Sequence, residues 1–139
     1  MSQENMEIVR ALFAAWNAGD MDAFRDLHDP DVIARELEGW PEPGPYVGRE
    51  AVMRQFERTR ETWDTDTVEP ISDFMEAGDR VAVRVIYRAV GQGAPEANAE
   101  FTIVYTMRKG RVFGIEYFWD HSEALEALGL SEQDAHSDL

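Results

Sequence analysis

The chain has 139 residues with 28 acidic and 13 basic side chains, which gives a formal net charge of −15. This length fits one domain with a real core, and the charge argues against a nucleic acid or an anionic membrane as partner. The sequence contains no Cys, which excludes disulfides, thiolate zinc sites and cysteine nucleophiles. A polar start and the lack of a long apolar run predict a cytoplasmic protein without a membrane segment.

The first half of the chain has apolar residues at helical spacing. A stripe of this kind runs over 3–18, with Ser2 as a candidate cap, and Gly19 ends the helix. Asp20 caps a short second helix, and the proline-rich loop 39–45 excludes both helix and central strand. The spacing also predicts a turn at 29–31, a strand at 32–37 and a third helix at 49–63.

The second half changes to the two-residue alternation of β-strands. Strands are predicted at 68–76, 80–90, 99–108 and 111–119. Short turns between them indicate antiparallel hairpins, and Asp120 with Glu123 forms a capping box that starts a closing helix. The predicted class is α+β, with three N-terminal helices covering one face of a curved antiparallel sheet, and a short C-terminal helix. Residues 131–139 are expected to be a flexible acidic tail.

Three strings of the sequence point to a known family. They are FAAWNAGDMDAFRDLHDPDV (13–32), YVGREAV (46–52) and RKGRVFGIEYFWDHSEALEALGL (108–130). Together with the order of elements, they resemble the nuclear-transport-factor-2-like superfamily, and within it the SnoaL-like, polyketide-cyclase-like branch. The resemblance implies one domain over 1–130, a cone-shaped sheet wrapped around the helices, a pocket at its open end and a homodimer formed through the sheet. It does not single out a reaction, because members include isomerases, cyclases, hydrolases and dehydratases.

Glu36 is the candidate general base. The alternation of the strand at 32–37 puts Glu36 on the same face as Val32 and Ala34. In the ketosteroid-isomerase-like members that the chain resembles, the base lies on this strand. A carboxylate that faces an apolar pocket has its pKa raised by desolvation, which suits proton abstraction near neutral pH. The alternative is a solvated Glu36 at the end of the strand.

The resemblance to these isomerases is incomplete at the oxyanion hole. Its two donor positions fall on Leu12 and Ile103, whose side chains donate no hydrogen bond. Steroid isomerisation is therefore not expected. Tyr105, two residues along on the face of Ile103, is the candidate substitute donor, and Tyr46 is a second tyrosine expected to supply a hydrogen bond.

Two patterns disagree about the arginines of the strand at 80–90. The alternation of valines that starts at Val81 puts Arg84 and Arg88 outward. The match to isomerase-like members puts Arg84 inside the pocket instead. Epoxide-hydrolase-like members activate water with an arginine held between two aspartates, so an inward Arg84 is expected to bind substrate.

The three histidines give no metal site. SnoaL-like cyclases carry acid/base residues near the last strand, where Asp120 and His121 lie, but a capping role already explains Asp120. His28 at the end of the second helix suits the helix dipole as an imidazolium. Neighbouring residues of a turn rarely converge on one ion, so the sequence predicts no metal site. No cofactor is expected either.

Aromatic side chains are the strongest indication of a pocket. Trp40 and Tyr46 flank the proline-rich loop, where a lid belongs, and Tyr117 and Trp119 share a strand face. Aromatic walls with a few polar groups suit a small, largely apolar ligand, although core packing is the alternative for each residue. The predicted substrate-binding residues are Trp16, Trp40, Tyr46, Phe56, Arg84, Ile103, Tyr117 and Trp119.

The sequence thus predicts a domain that binds a small, largely apolar molecule. As an enzyme, it is expected to perform cofactor-free isomerisation, cyclisation or hydrolysis with Glu36 and Tyr105 as catalytic residues. The alternatives are a binding or oligomerisation domain without turnover, and a ligand sensor or carrier. A cavity with Glu36 on its wall favours chemistry, whereas a centre filled by tryptophan and phenylalanine side chains favours the structural role.

Overall fold

The order of elements is helical first and mainly β afterwards in the computed structural model, which describes residues 2–91, 93 and 96–130. The helices are α1 (Ser2–Ala18), α2 (Met21–Asp26), α3 (Arg49–Thr62) and α4 (His121–Ala127). The strands are β1 (His28–Arg35), β2 (Tyr46–Val47), β3 (Thr65–Pro70), β4 (Met75–Ala77), β5 (Arg80–Val90), β6 (Ala97–Arg108) and β7 (Arg111–Phe118). The predicted tail at 131–139 lies outside the described residues. Among the helices described, none is long and apolar enough to cross a bilayer.

The strands form one curved, unclosed sheet in the order β2–β1–β7–β6–β5–β3, with β4 also paired to β5. The hairpins β5–β6 and β6–β7 are antiparallel, as their short turns predict. One pairing differs from the prediction, because β1 runs parallel to β7. The sheet is therefore mixed, since β1 pairs with the last strand of the chain instead of with a neighbour in sequence.

The start of β1 corrects the predicted boundary of the second helix. The predicted turn at 29–31 is part of β1, which begins directly after the C-cap residue of α2, Leu27. The cause is pairing with β7, because His28 faces Val112 in the register and the Val112 N–H donates to the Leu27 carbonyl oxygen at 2.9 Å. A second correction is that the predicted strand at 68–76 divides into β3 and β4.

Helices cover both faces of the sheet. The inner face, which α1 and α3 cover, carries the main core, in which Leu12 of α1 packs with Val83 and Ile103. The outer face carries a smaller core, where Val104 of β6 packs with Leu125 of α4. The prediction of helices on a single face therefore holds for the N-terminal helices and is corrected for α4.

Candidate functional site

A cavity of about 140 Å³ lies between the N-terminal helices and the inner face of the sheet. In this arrangement the volume is enough for about one aromatic ring. Trp40 and Trp119 are 43% and 46% exposed, so they lie where the cavity meets solvent. Eight of the ten residues predicted for the site line the cavity: Trp16, Glu36, Trp40, Phe56, Ile103, Tyr105, Tyr117 and Trp119.

Strand register assembles the polar part of the cavity wall. Tyr117 pairs with Ile103 across β6 and β7. The parallel pairing of β1 with β7 ends at Arg35 and Glu116, so Glu36 and Tyr117 are the next residues on two neighbouring strands. After burial, the Glu36 carboxylate is the largest cause of the raised pKa of Tyr117, as expected for close neighbours. A base and a hydroxyl donor therefore stand side by side in the wall.

The Glu36 carboxyl is largely withdrawn from water. Burial raises its pKa above the usual range, and a hydrogen bond with Gln55 acts in the opposite direction. The Gln55 Oε1 accepts from Arg58 Nη2 at 3.1 Å, and the Glu36 backbone N–H donates to the Pro43 carbonyl oxygen at 2.8 Å. These contacts hold Glu36 between α3 and the proline-rich loop, with a carboxylate that binds protons more tightly than a free glutamate does.

Tyr105 and Tyr117 supply two hydroxyl groups to the cavity. Burial raises the pKa of both phenols, so each is a neutral hydrogen-bond donor near neutral pH. Within the described residues, neither hydroxyl is engaged by another side chain or by a carbonyl group. Both are therefore available to an oxygen atom of a ligand.

Tyr46, predicted to bind the ligand, lies outside the lining of the cavity. Its hydroxyl donates to the Glu42 carbonyl oxygen at 2.6 Å, within the proline-rich loop. The ring packs against the main core from the side. The prediction of a ligand-binding hydroxyl is therefore corrected, because a contact within the loop already occupies the Tyr46 proton.

Arg84 lies on the outer face of the sheet and does not line the cavity. Its Nη1 donates to Thr102 Oγ1 and to the Trp119 carbonyl oxygen, both at 3.1 Å. Val83 and Val85, the neighbours of Arg84 on β5, are fully buried on the inner face. The alternation of valines on β5 therefore predicts the outward position of Arg84 correctly. The inward position expected from isomerase-like members is wrong.

Asp120 and His121 begin α4, away from the cavity lining. Asp120 Oδ1 accepts from the backbone N–H groups of Ser122 at 2.8 Å and Glu123 at 3.4 Å, which confirms the predicted cap. His121 Nδ1 lies 2.9 Å from Thr102 Oγ1 on the outer face. Asp120 and His121 therefore help to attach α4 to the sheet.

The prediction that His28 is a charged residue at a helix end is wrong. His28 is fully buried and lines the cavity. Burial lowers its pKa to about 4, so the imidazole is neutral near neutral pH. Because the unfolded chain binds this proton near pH 6.5, His28 makes the native state less stable as the pH falls from 6.5 towards 4.

The tautomer of His28 follows from its neighbours. Nδ1 lies 2.7 Å from the Phe24 carbonyl oxygen, and a carbonyl only accepts, so Nδ1 carries the proton. Nε2 is then an unprotonated acceptor, and it has no partner among the described residues. Trp16 Nε1, a donor in the same cavity lining, is also buried and unpaired. An unpaired buried polar group costs about 1–3 kcal/mol, so these two atoms need an explanation.

Gln55 and His28 are the site residues that the sequence reasoning missed. A signal existed for Gln55, because it lies three residues after Val52 and one before Phe56, on the core-facing side of α3. A polar residue in an apolar stripe indicates a buried polar contact. No comparable signal existed for His28, whose burial depends on the pairing of β1 with the last strand.

A second buried carboxylate stands behind the cavity wall. Tyr87, which lines the cavity, donates its hydroxyl proton to Asp66 Oδ2 at 2.6 Å, and Arg60 Nη1 lies 3.6 Å from Asp66 Oδ1. The Asp66 side chain is 3% exposed, so these partners replace its water. Arg60 also stacks over the Trp16 ring at 4.4 Å. The network thus holds Tyr87 and Trp16 in the wall.

Replacing Tyr87 with Phe is expected to lower the free energy of unfolding by about 1–3 kcal/mol, because a buried carboxylate loses a hydrogen bond. Urea denaturation followed by circular dichroism measures this change. Tyr46→Phe is the matched control, since its hydroxyl bonds a carbonyl in an exposed loop, and the expected loss is below about 1 kcal/mol. Equal losses in the two variants would contradict the structural role assigned to the Asp66 network.

Comparison with known families gives one match. A family model described as a SnoaL-like domain matches residues 9–115. A search of the curated proteins finds no match. The matched range covers most of the chain, from α1 to the middle of β7, and it includes all the residues of the cavity lining except Tyr117 and Trp119.

Solved structures with the same fold come from several sources. Bal32a, from a soil-derived mobile gene cassette, is 26% identical, covers 83% of this chain and 88% of its own, and has a TM-score of 0.75. TerC, co-crystallised with polyporic acid, is 23% identical over 90% of this chain and 97% of its own, with a TM-score of 0.73. RV0760c from Mycobacterium tuberculosis, in complex with estradiol-17beta-hemisuccinate, is 17% identical over 85% of this chain and 95% of its own, with a TM-score of 0.74.

Proposed function

The chain belongs to the SnoaL-like domain family, and from this premise we propose that it binds a small, largely apolar, ring-containing molecule in the cavity. We also propose that it performs cofactor-independent acid/base chemistry on that molecule, with Glu36 as the general base. One observation carries the proposal: a carboxyl of raised pKa lines an apolar cavity beside the Tyr117 hydroxyl. The Glu36 carboxylate and the Tyr117 hydroxyl suit three classes of reaction: isomerisation, cyclisation and hydrolysis.

The proposed reaction begins with proton transfer to Glu36. The carboxylate takes a proton from a carbon next to a carbonyl group of the ligand, or from a water molecule that then attacks the ligand. In the first case the electron pair of the C–H bond moves onto the carbonyl oxygen, and Tyr117 or Tyr105 stabilises that oxygen by donating a hydrogen bond. In an isomerisation, the carbonyl group re-forms and its electron pair takes the proton from Glu36 at a different carbon of the ligand. In a ring closure, the enolate carbon attacks a second carbonyl carbon of the ligand, the π electrons of that carbonyl move to its oxygen, and this oxygen takes the proton from Glu36. In a hydrolysis, the water oxygen attacks an electrophilic carbon, the bond from that carbon to the leaving oxygen breaks, and Glu36 returns the proton to the leaving oxygen. The raised pKa of Glu36 brings the base closer to neutral pH, where proton transfer is efficient.

Steroid isomerisation is not the proposed reaction. Leu12 and Ile103, which occupy the two donor positions of isomerase-like members, lie in the cavity lining and supply no proton. Tyr105 and Tyr117 offer two hydroxyl donors from β6 and β7 instead. The proposed donors are therefore two phenols on the sheet, and the carboxyl group beside Tyr117 is the proposed base and not a further donor. We expect this pair to stabilise an oxyanion less strongly than the isomerase-like arrangement does.

The ligand class is supported by the cavity lining and by two related structures. One structure of this fold contains trimethylamine, and two others, TerC and RV0760c, contain the larger molecules polyporic acid and estradiol-17beta-hemisuccinate. Both contain several rings, whereas the cavity of about 140 Å³ holds about one ring. A larger ligand therefore requires Trp40 and Trp119, the exposed residues of the rim, to move apart.

Polyporic acid and estradiol-17beta-hemisuccinate are the first probes to test. We expect at least one of them to raise the melting temperature in a concentration-dependent way, because a ligand that binds only the native state stabilises it. Isothermal titration calorimetry with the same compound measures its dissociation constant. Ile103→Phe fills the cavity and should abolish the shift, whereas Thr106→Phe adds an aromatic ring on the outward, half-buried side of the same strand and should keep it. Unchanged binding by Ile103→Phe would place the ligand elsewhere.

A ligand carrier without turnover is the alternative function. The Tyr105 and Tyr117 hydroxyl groups, which have no hydrogen-bond partner in the described ranges, favour it, because they can recognise a polar ligand atom without any reaction. Stabilisation by a compound that is recovered unchanged would support the carrier. The homodimer and the cytoplasmic location stay predictions that rest on the sequence.

A further inference from the structure

Four rings of the cavity lining pack against one another, and we call them the inner aromatic cluster: Trp16, Phe24 and His28, which are buried, and Phe56, which is half-buried. Their ring centroids lie 4.8 Å apart for Phe24 and His28, and 5.6 Å apart for Trp16 and Phe56. His28 is 0% exposed and Trp16 is 5% exposed. A cluster of this kind is an apolar setting for a planar ring, with edge-to-face contacts on several sides.

Two polar atoms of this cluster have no partner in the described part of the chain. Nε2 of His28 is an acceptor, because the proton of the imidazole is held at Nδ1 by the Phe24 carbonyl oxygen. Nε1 of Trp16 carries a proton and is a donor only. Natural proteins pair nearly all such buried groups. An acceptor and a donor without partners, in two side chains of a cavity lining, are therefore candidates for hydrogen bonds with a ligand.

The chemistry of these atoms limits the ligand. A charged group is disfavoured, because the four rings carry no charge near neutral pH, and the Arg60 guanidinium that stacks over Trp16 already lies beside Asp66. A carbonyl oxygen can satisfy Trp16 and leaves His28 unpaired. A hydroxyl on an aromatic or enolic ring donates to His28, and its oxygen, or a neighbouring one, can accept from Trp16.

We propose that the inner aromatic cluster is the binding subsite for a hydroxyl-bearing aromatic or enolic ring, whose hydroxyl group donates to Nε2 of His28. The inference rests on the proposed function and adds the orientation of the ligand. The hydroxylated ring lies innermost, and the rest of the molecule extends towards the rim at Trp40 and Trp119. His28 is a recognition residue in this arrangement, and Glu36 remains the base.

Two probes that differ by one proton donor test the subsite: 2-naphthol and 2-methoxynaphthalene. We expect 2-naphthol to bind the intact chain about tenfold more tightly, which corresponds to one hydrogen bond to a buried acceptor. In long-range ¹H–¹⁵N spectra, the unprotonated Nε2 signal of His28 should move upfield with 2-naphthol alone. The Trp16 indole N–H signal should move with both probes, because both contain an oxygen that accepts.

His28→Asn is the informative variant, since its amide can still donate to the Phe24 carbonyl oxygen but has no atom in the place of Nε2. The preference for 2-naphthol should then fall from about tenfold to nearly none. His121→Asn is the control, because His121 lies on the outer face, and it should keep the preference. If His28→Asn does not fold, the Nε2 signal of His28 in the unmodified chain still tests the proposed hydrogen bond.

The outcomes separate the two proposals. Equal binding of both probes with a stationary Nε2 signal would overturn this subsite and leave the small-ligand function standing. A failure of both naphthalenes, polyporic acid and the estradiol derivative to bind would overturn the subsite and the proposed function together. A tenfold preference that His28→Asn removes supports both.

Discussion

Replacing Glu36 with Gln is expected to lower kcat by about 10²–10⁴-fold while ligand binding is retained. Gln has nearly the shape of Glu but cannot accept the proton that the reaction transfers. Product formation, and deuterium uptake from D₂O into the ligand found by thermal shift, measure the loss. Calorimetry with the same ligand measures binding, which should change by less than about threefold, because the apolar contacts of the cavity remain.

Glu38→Gln is the matched control for this variant. Glu38 is exposed, lies two residues further along the chain, and loses the same unit of charge on substitution. Its turnover should stay close to that of the unmodified chain. Full activity in Glu36→Gln would remove Glu36 from the role of base, and a ligand that binds the unmodified chain without turnover would favour the carrier.

The pH dependence of stability gives an independent readout of Glu36. Its pKa is raised in the fold, so the native state holds this proton more tightly than the unfolded chain does. The ionised carboxylate therefore destabilises the fold, and stability is lost as the pH rises through the interval between the unfolded and folded pKa. Glu36→Gln should be the more stable protein at neutral pH, and the difference should vanish below both values. Comparing urea midpoints at the same pH cancels the contribution of His28.

Replacing Leu12 with Ala is expected to cost about 2–5 kcal/mol in the free energy of unfolding. Leu12 is 1% exposed in the main core and also lines the cavity. The lost methyl groups therefore enlarge a space that already exists, and a ring-shaped probe can fill it. Urea denaturation measures the cost, and the rise in melting temperature with saturating 2-naphthol should be larger in Leu12→Ala than in the unmodified chain.

Leu125→Ala provides the comparison for the cavity variant. Leu125 is fully buried, but it packs on the outer face, in the core between α4 and the sheet. Leu125→Ala should lower the free energy of unfolding by a similar amount, and 2-naphthol should not restore this stability. If 2-naphthol rescues Leu125→Ala as well as Leu12→Ala, then the probe does not bind in the inner cavity.

Strand alternation is the part of the site that the sequence predicts well. One parity rule on β6 and β7 puts Ile103, Tyr105, Tyr117 and Trp119 on a common face, and all four line the cavity. The rule works because successive side chains of a strand point to opposite faces, and the large apolar and aromatic side chains of β6 and β7 gather mainly on the inner face. The same rule, applied to the valines of β5, assigns Arg84 correctly to the outer face.

Pairing between distant segments is the part that sequence reasoning does not reach. The position of Glu36 near Tyr117 depends on the register of β1 against β7, and local patterns contain no information on that register. His28 shows the same limit, because its change from a helix end to a buried wall residue depends on the same pairing. Tyr46 shows another limit, since a hydroxyl in a loop finds a nearby carbonyl that spacing does not predict.

The parallel pairing of β1 with β7 has a consequence for folding during translation. This pairing joins residues about 80 positions apart, such as Ala34 and Ile115. Two contacts near its ends span similar distances in sequence: the Asp29–Arg108 ion pair and the hydrogen bond from the Trp119 indole to the Glu38 carbonyl oxygen. During translation, β1 leaves the ribosome long before its partner strand exists, and its edge and apolar face stay open until then. Because such non-local pairing is slow to form, we expect the nascent chain to depend on chaperones, and a chain released before β7 to aggregate rather than to form a smaller working domain.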